Sequence, residues 1–154
     1  MIEAAKWAPS SCNRQPWHFI VTRDKNKINI LYNIKGQKFL KDAPNIILVL
    51  VNKNAWSNEK SYEYFSRLDA GAAIENLLLK AEDLGIGACW VNWMPKSVSK
   101  EQKERIHKEF NIPNHLEIIS IIPIGKIKEK PSPPGRKDTT DILDFEKYTQ
   151  NNDR

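Results

Sequence analysis

The residues best suited to chemistry stand near the start, in Ala8-Pro9-Ser10-Ser11-Cys12-Asn13-Arg14-Gln15-Pro16-Trp17-His18-Phe19. Two hydroxyls, two carboxamides and a guanidinium lie there between two prolines. Pro9 and Pro16 fix their own φ and bias Ala8 and Gln15 towards extended geometry. The spacing therefore predicts a rigid polar loop that opens into an apolar strand. Neutral donors and acceptors of this kind suit the edge of a heteroaromatic ligand or a phosphate. The same residue types also dominate ordinary turns, so composition alone leaves a plain turn open. A second candidate is the cation run Lys126, Lys128, Lys130, Arg136 and Lys137, interleaved with Pro131, Pro133 and Pro134. Within it, Arg136 can grip a phosphate as a planar fork. The alternative is a solvated tail charge. His18, His107 and His115 are scattered without metal-ligand spacing. Cys12 and Cys89 have no neighbouring histidine or partner cysteine. Cys12 reads as a small packed residue and Cys89 as core. A structural disulfide is not expected, and a reducing cytoplasm is.

Several elements must position that loop. Residues 1–7 read as the last turns of a helix, with Ile2 and Ala5 on one side. Trp17 to Thr22 is aromatic and β-branched and predicts a strand. Asp24 can cap a helix from Lys25 to Asn33, with Ile28 and Leu31 inward. Pro44 introduces the nearly all-apolar run Asn45 to Val51, which predicts a strand buried on both faces. Residues 54–66 are polar and aromatic and carry no clear period.

From Arg67 to Leu84 the stripe Ala70, Ile74, Leu77, Ala81 and Leu84 predicts a helix. Leu68, Ala72, Ala73, Leu78 and Leu79 make it apolar nearly all round, as in a central or interface helix. Its small N-terminal half would let another backbone come close. Asn76 interrupts the apolar surface and must find a hydrogen-bond partner. Gly85 supplies a left-handed cap. Ala88 to Val91 predicts a short strand, and Ser99 with Gln102 predicts a capping box opening a helix to Glu109. Leu116 to Ile124 predicts another apolar strand, ended by Gly125, and Asp141 to Tyr148 a short helix.

Strands and helices interleave without regular alternation, and no glycine-rich phosphate loop follows a strand. The expected class is therefore α+β rather than a doubly wound sheet. The length of 154 residues fits one domain, taken as residues 1–145 with a tail at 146–154. The net charge of +5 and pI near 9.2 allow an anionic partner without naming one. A nucleic-acid role is set aside, because the cations sit in a proline-rich tail without interleaved stacking aromatics. No apolar run approaches the roughly 20 residues that span a bilayer, and Met1 to Lys6 lacks the pattern of a signal peptide.

Two long motifs in register carry a family resemblance. Ala8, Pro9, Ser10, Asn13, Gln15, Pro16, Trp17 and Phe19 match the Ala-Pro-Ser-x-x-Asn-x-Gln-Pro-Trp-x-Phe loop of the nitroreductase-like flavoproteins. Asp69, Ala70, Gly71, Ala73, Asn76, Leu77 to Leu79, Ala81, Leu84, Gly85 and Gly87, followed by Cys89-Trp90, resemble that family's long small-residue helix. The strand Ile119 to Gly125, with Arg136-Lys137 downstream, resembles its closing segment.

The resemblance implies an α+β homodimer with a mostly antiparallel sheet, flanking helices and FMN at the subunit interface. It implies that the flavin ring, rather than a side chain, carries the redox chemistry, with NAD(P)H as electron donor. By motif position, Ser10, Ser11 and Asn13 would contact the flavin or its ribityl chain, and Gln15 the ring or the loop itself. Backbone around Trp90, Val91 and Asn92 would approach flavin N5. Gly125 and Arg136 would lie on the phosphate side, with Lys126 or Lys137 as helpers. The family usually opens with an Arg-x-Ser-x-Arg segment well upstream of the loop. Here Met1 lies seven residues before Ala8, so either the chain is a piece of a longer protein or it holds the phosphate with fewer contacts, and weaker FMN retention is expected of this chain. The implied activity is electron transfer from NAD(P)H to a nitroaromatic, quinone or similar small acceptor. Alternatives are a flavin-scavenging protein without efficient turnover, a dehalogenase, or a dehydrogenase of a small substrate.

Overall fold

The computed structural model describes residues 1–93, 98–129 and 132–148. Its centre is the apolar run after Pro44. Strand β2 (Asn45–Asn52) buries every residue from Ile46 to Val51. It pairs antiparallel with β1 (Trp17–Thr22) on one side and with β5 (Leu116–Lys126) on the other. The far edge of β5 carries β3 (Ile86–Ala88) and β4 (Val91–Asn92), also antiparallel.

Alternation along β2 decides the layers. Ile46, Leu48 and Leu50 pack in a core with residues of α2 (Lys25–Lys35), α3 (Lys38–Asp42) and α5 (Lys100–Glu109). Ile47, Val49 and Val51 pack on the opposite face with α1 (Ile2–Ala5) and α4 (Glu59–Asp83). Helices on both faces explain why this strand is apolar throughout rather than alternating. Among the described residues every strand pairing is antiparallel, so the structure is α+β, as the sequence predicts.

A β-bulge interrupts the β2–β5 pairing. Val49 faces Ser120 and Leu50 faces Ile118, which leaves Ile119 extra. Ile118 and Ile121 consequently share one core, while Ile119 and Ile122 share the other.

Several predicted elements stand. Asp24 caps α2 by accepting from the Asn26 N–H. Ser99 and Gln102 form the complete capping box of α5. Gly85 closes α4 at φ +66°. Asn76 finds its partner by donating to the Ala4 carbonyl at 3.3 Å, which ties α1 to α4.

Others change. Helix α4 starts at Glu59 rather than Arg67, capped by Asn58 accepting from the Ser61 N–H, so the unplaced aromatic stretch forms its first turns. Tyr62 packs inward there while Tyr64 is exposed, and this mixture hid the period. Leu84 lies outside the buried stripe. The strand predicted over Ala88 to Val91 is split at Cys89-Trp90. Its register on β5 continues across the gap, since Ala88 faces Ile124 and Val91 faces Ile121. Pro123 lies opposite the gap: its carbonyl accepts from the Cys89 N–H at 3.3 Å, but it has no N–H to return, so the pairing is reduced to a single bond there. Strand β5 runs through Gly125 to Lys126, with Gly125 paired to Gly87. Cys89 is exposed rather than core, and Cys12 is exposed rather than packed. Instead of a helix over Asp141 to Tyr148 there is one short turn at Thr139–Asp141. Ile142, Leu143, Phe145 and Tyr148 are all exposed, so nothing stabilises a helix too short to stand alone. Among the described residues no helix is long and apolar enough to cross a membrane, and no cluster of metal-ligating side chains occurs.

Candidate functional site

The loop between α1 and β1 is tightly folded. Ser11–Asn13 form a single 3-10 turn, and Cys12, Asn13 and Gln15 adopt φ of 53°, 53° and 48°. This left-handed region is unfavourable for any residue with a Cβ. Hydrogen bonds hold the shape. The Gln15 N–H donates to Ser10 Oγ at 2.9 Å. Gln15 Nε2 donates to the Asn13 carbonyl and to Asn13 Oδ1, at 3.3 and 3.2 Å. Both the N–H and the hydroxyl of Ser11 donate to Asp69 Oδ1 on α4, at 2.9 and 3.1 Å. Ser10, Ser11, Asn13 and Gln15 thus share one hydrogen-bonded loop. The Ser10 hydroxyl proton, Asn13 Nδ2 and Gln15 Oε1 remain without a protein partner among the described residues. A polar heteroaromatic ligand needs donors and acceptors of this kind, so the set fits FMN. Asp69 was visible in the sequence only as part of a helix motif. Its signal as a site residue was a carboxylate at a buried position of an apolar helix.

The resemblance implies a second wall of the site in the stretch before α5. The Trp90 ring is 44 % exposed and reaches α4, where its Cη2 lies 3.5 Å from the position a Cβ would take on Gly71. Val91 is buried, and its carbonyl accepts from Ser120 Oγ at 2.7 Å. The Trp93 N–H donates to the Ile119 carbonyl at the bulge. The side chain of Asn92 faces solvent. The bulge and fully buried Ser120 therefore set the course of this wall, and sequence reasoning singled out neither. Met94, which could line the same wall, falls outside the described residues. Although the residue is exposed overall, partial burial of the Cys89 sulfur pushes its thiol up, which disfavours the nucleophilic thiolate.

Gly125 and Arg136 make no hydrogen bond to the loop among the described residues. Gly125 sits in an open cleft of about 900 Å³ with Pro44, Leu78, Cys89 and Lys126. A Cβ on Gly125 would come within 2.8 Å of Pro44 Cδ, so glycine permits this close packing. The Arg136 guanidinium donates to the carbonyls of Pro134 and Gly135, at 3.3 and 3.0 Å, within its own exposed segment. None of residues 10–15 lines the Gly125 cleft. A smaller cavity of about 290 Å³ lies elsewhere, between α5 and the start of β5, lined by Lys53, Trp93, His107 and Glu117 among others. Burial pushes the Glu117 carboxyl up, and Lys53 opposes that shift.

The sequence profile of the nitroreductase family matches residues 1–36 and 31–126. The chain belongs to the nitroreductase family. A protein of Methanothermobacter thermautotrophicus, provisionally named NADH dehydrogenase/NAD(P)H nitroreductase, is 33 % identical over 145 residues, covering 94 % of this chain and 69 % of the relative. A solved structure from Desulfovibrio desulfuricans, described as a provisional nitroreductase in complex with FMN, is 29 % identical. Its TM-score is 0.77, covering 96 % of this chain and 82 % of that one. The iodotyrosine deiodinase of Thermotoga neapolitana is 27 % identical over 150 residues, covering 80 % of this chain and 73 % of the relative. As a nitroreductase-family member, the chain keeps the polar loop and the long small-residue helix in contact through Ser11 and Asp69.

Proposed function

We propose that this nitroreductase-family chain is an FMN-dependent NAD(P)H oxidoreductase that works as a homodimer and reduces a nitroaromatic, quinone or similar small acceptor. The observation that carries the reading is the loop at residues 10–15. It is held in a left-handed conformation while offering unused polar groups. Ser10, Ser11, Asn13 and Gln15 would hold the flavin and its ribityl chain. Backbone at Trp90, Val91 and Asn92 would approach the ring. Gly125 and Arg136, with Lys126 or Lys137, would serve the phosphate. When bound, FMN supplies a ring that accepts hydride from NAD(P)H and passes the electrons to an acceptor. The protein's part is to orient that ring and to set the charge around it.

The loop does not line the Gly125 cleft, and Arg136 bonds only within its own segment, which supports a site completed by a second copy. The exposed surface supports it too. Tyr64, Leu68, Ala72 and Leu79 follow one stripe of α4, and the first two and last of these are more than half exposed. Phe145 and Tyr148 stand exposed on the C-terminal segment. Two free, exposed cysteines suit a reducing cytoplasm. The likeness to an iodotyrosine deiodinase favours one further reading, reductive dehalogenation on the same flavin.

Anaerobic NADH or NADPH should bleach reconstituted flavin within seconds, and a nitroaromatic should restore the colour. Flavin that binds and does not bleach within minutes points to a scavenging role and overturns the enzyme reading. An iodophenol, supplied as acceptor in parallel, separates the two enzymatic readings.

A further inference from the structure

We propose that Asp69 is the positioning residue that sets the shape of the cofactor loop. This rests on the cofactor reading above for its functional consequence, but not for its structural part. Residues 10–15 make hydrogen bonds among themselves, and among the described residues only one group outside the segment joins them. That group is the Asp69 carboxylate, 58 positions along the chain. A single oxygen, Oδ1, accepts from both the N–H and the hydroxyl of Ser11. The next residues, Cys12 and Asn13, both have positive φ. Such a backbone persists only where its surroundings over-determine it, and the anchor sits directly before the disfavoured residues.

The other side of the carboxylate shows why the anchor is directional. Asp69 is 5 % exposed, and Oδ2 has no hydrogen-bond partner among the described residues. Tyr62, Ser66 and Asp69 follow one face of α4 at intervals of four and three, and the Tyr62 hydroxyl and Ser66 Oγ are likewise buried without partners. Among the described residues no other group bonds the carboxylate, so Ser11 alone of these compensates its burial. A buried charge with one donor pair makes losing that pair costly. The loop is thereby tied to the helix: Asp69 holds Ser11, and Ser11 satisfies Asp69. Asp69 touches no ligand in this scheme. It acts through Ser11 on the unused groups of Ser10, Asn13 and Gln15.

Two readouts test the proposal: amide hydrogen exchange over residues 10–15 of the flavin-free protein, and the FMN dissociation constant. Asp69→Ala should speed exchange of the Ser11 amide by about tenfold or more, and weaken FMN binding by about tenfold to hundredfold. Asp69→Asn keeps a neutral acceptor, so exchange there should rise only about threefold. In both variants exchange in β2 should change by less than in the loop, which a general loss of stability would not produce. Wild-type exchange and wild-type FMN affinity in Asp69→Ala would overturn the proposal. If that variant does not fold, wild-type Ser11 exchange in Asp69→Asn overturns it instead. A wild-type chain that binds no FMN, yet loses Ser11 protection in these variants, sinks the cofactor reading and leaves the anchor standing.

Discussion

The loop at residues 10–15 and the segment around Arg136 look alike on paper. Both are polar and lie beside prolines, and both hold groups suited to an anionic cofactor. In the folded chain they differ in one respect. The loop is tied to a buried carboxylate on the longest helix. Among the described residues the Arg136 guanidinium bonds only to carbonyls of its own segment and remains exposed. A polar segment acquires a defined shape when a distant buried group needs it as a partner. A run of cations with no such partner stays solvated until a ligand or a second chain supplies one.

Four measurements would break or sharpen that contrast. Asp69→Ala should cost the flavin-free protein about 3 kcal/mol in urea unfolding, because it removes two charge-assisted bonds from a buried site. A loss no larger than that of an exposed substitution would erase the distinction between the regions. Gly125→Ala should cost about 2 kcal/mol, as its Cβ would press on Pro44 within β5's rigid surroundings. A smaller cost would show that the Gly125 cleft yields more readily than the loop.

Glu117→Gln should act more weakly, through pH. Burial raises the folded-state pKa of Glu117 above its unfolded value. The folded chain then holds that proton to higher pH, so this group's contribution to stability falls as pH rises through the window just above the ordinary glutamate range. The substitution should flatten this slope, measured by urea midpoints across mildly acidic pH. An unchanged slope removes Glu117 as its source. The smallest structural effect belongs to Arg136→Ala. Its melting temperature should stay within about two degrees of wild type, while FMN affinity falls and loses part of its salt dependence. A large drop in melting temperature would mean that the segment is anchored after all.

Much of the site was legible in the sequence. Pro9 and Pro16 mark the loop's limits, and Asn45 to Val51 reads correctly as a strand covered on both faces. Local chemistry suffices there, because prolines and apolar runs act over a few residues, although Gln15 takes φ 48° instead of the extended geometry expected before Pro16. Capping residues Asp24 and Ser99 were readable for the same reason. Helix α4's true start was not, since Tyr62 packs inward and Tyr64 points out within the same turn. The break at Cys89-Trp90 depends on Pro123, which lies on another strand. The absent C-terminal helix depends on packing that Ile142 and Phe145 do not find in this chain.

By itself, the sequence determined the α+β class, the family and the residues of the polar loop, because motif order and short-range periodicity carry that information. Tertiary structure alone decided which of those residues share a place. It put Asp69 under Ser11, Ser120 under Val91 and the bulge at Ile119, while giving Gly125 and Arg136 no hydrogen bond to the loop among the described residues. The reason is physical: a hydrogen bond across 58 positions depends on how α4 crosses the sheet, and no local pattern records that crossing.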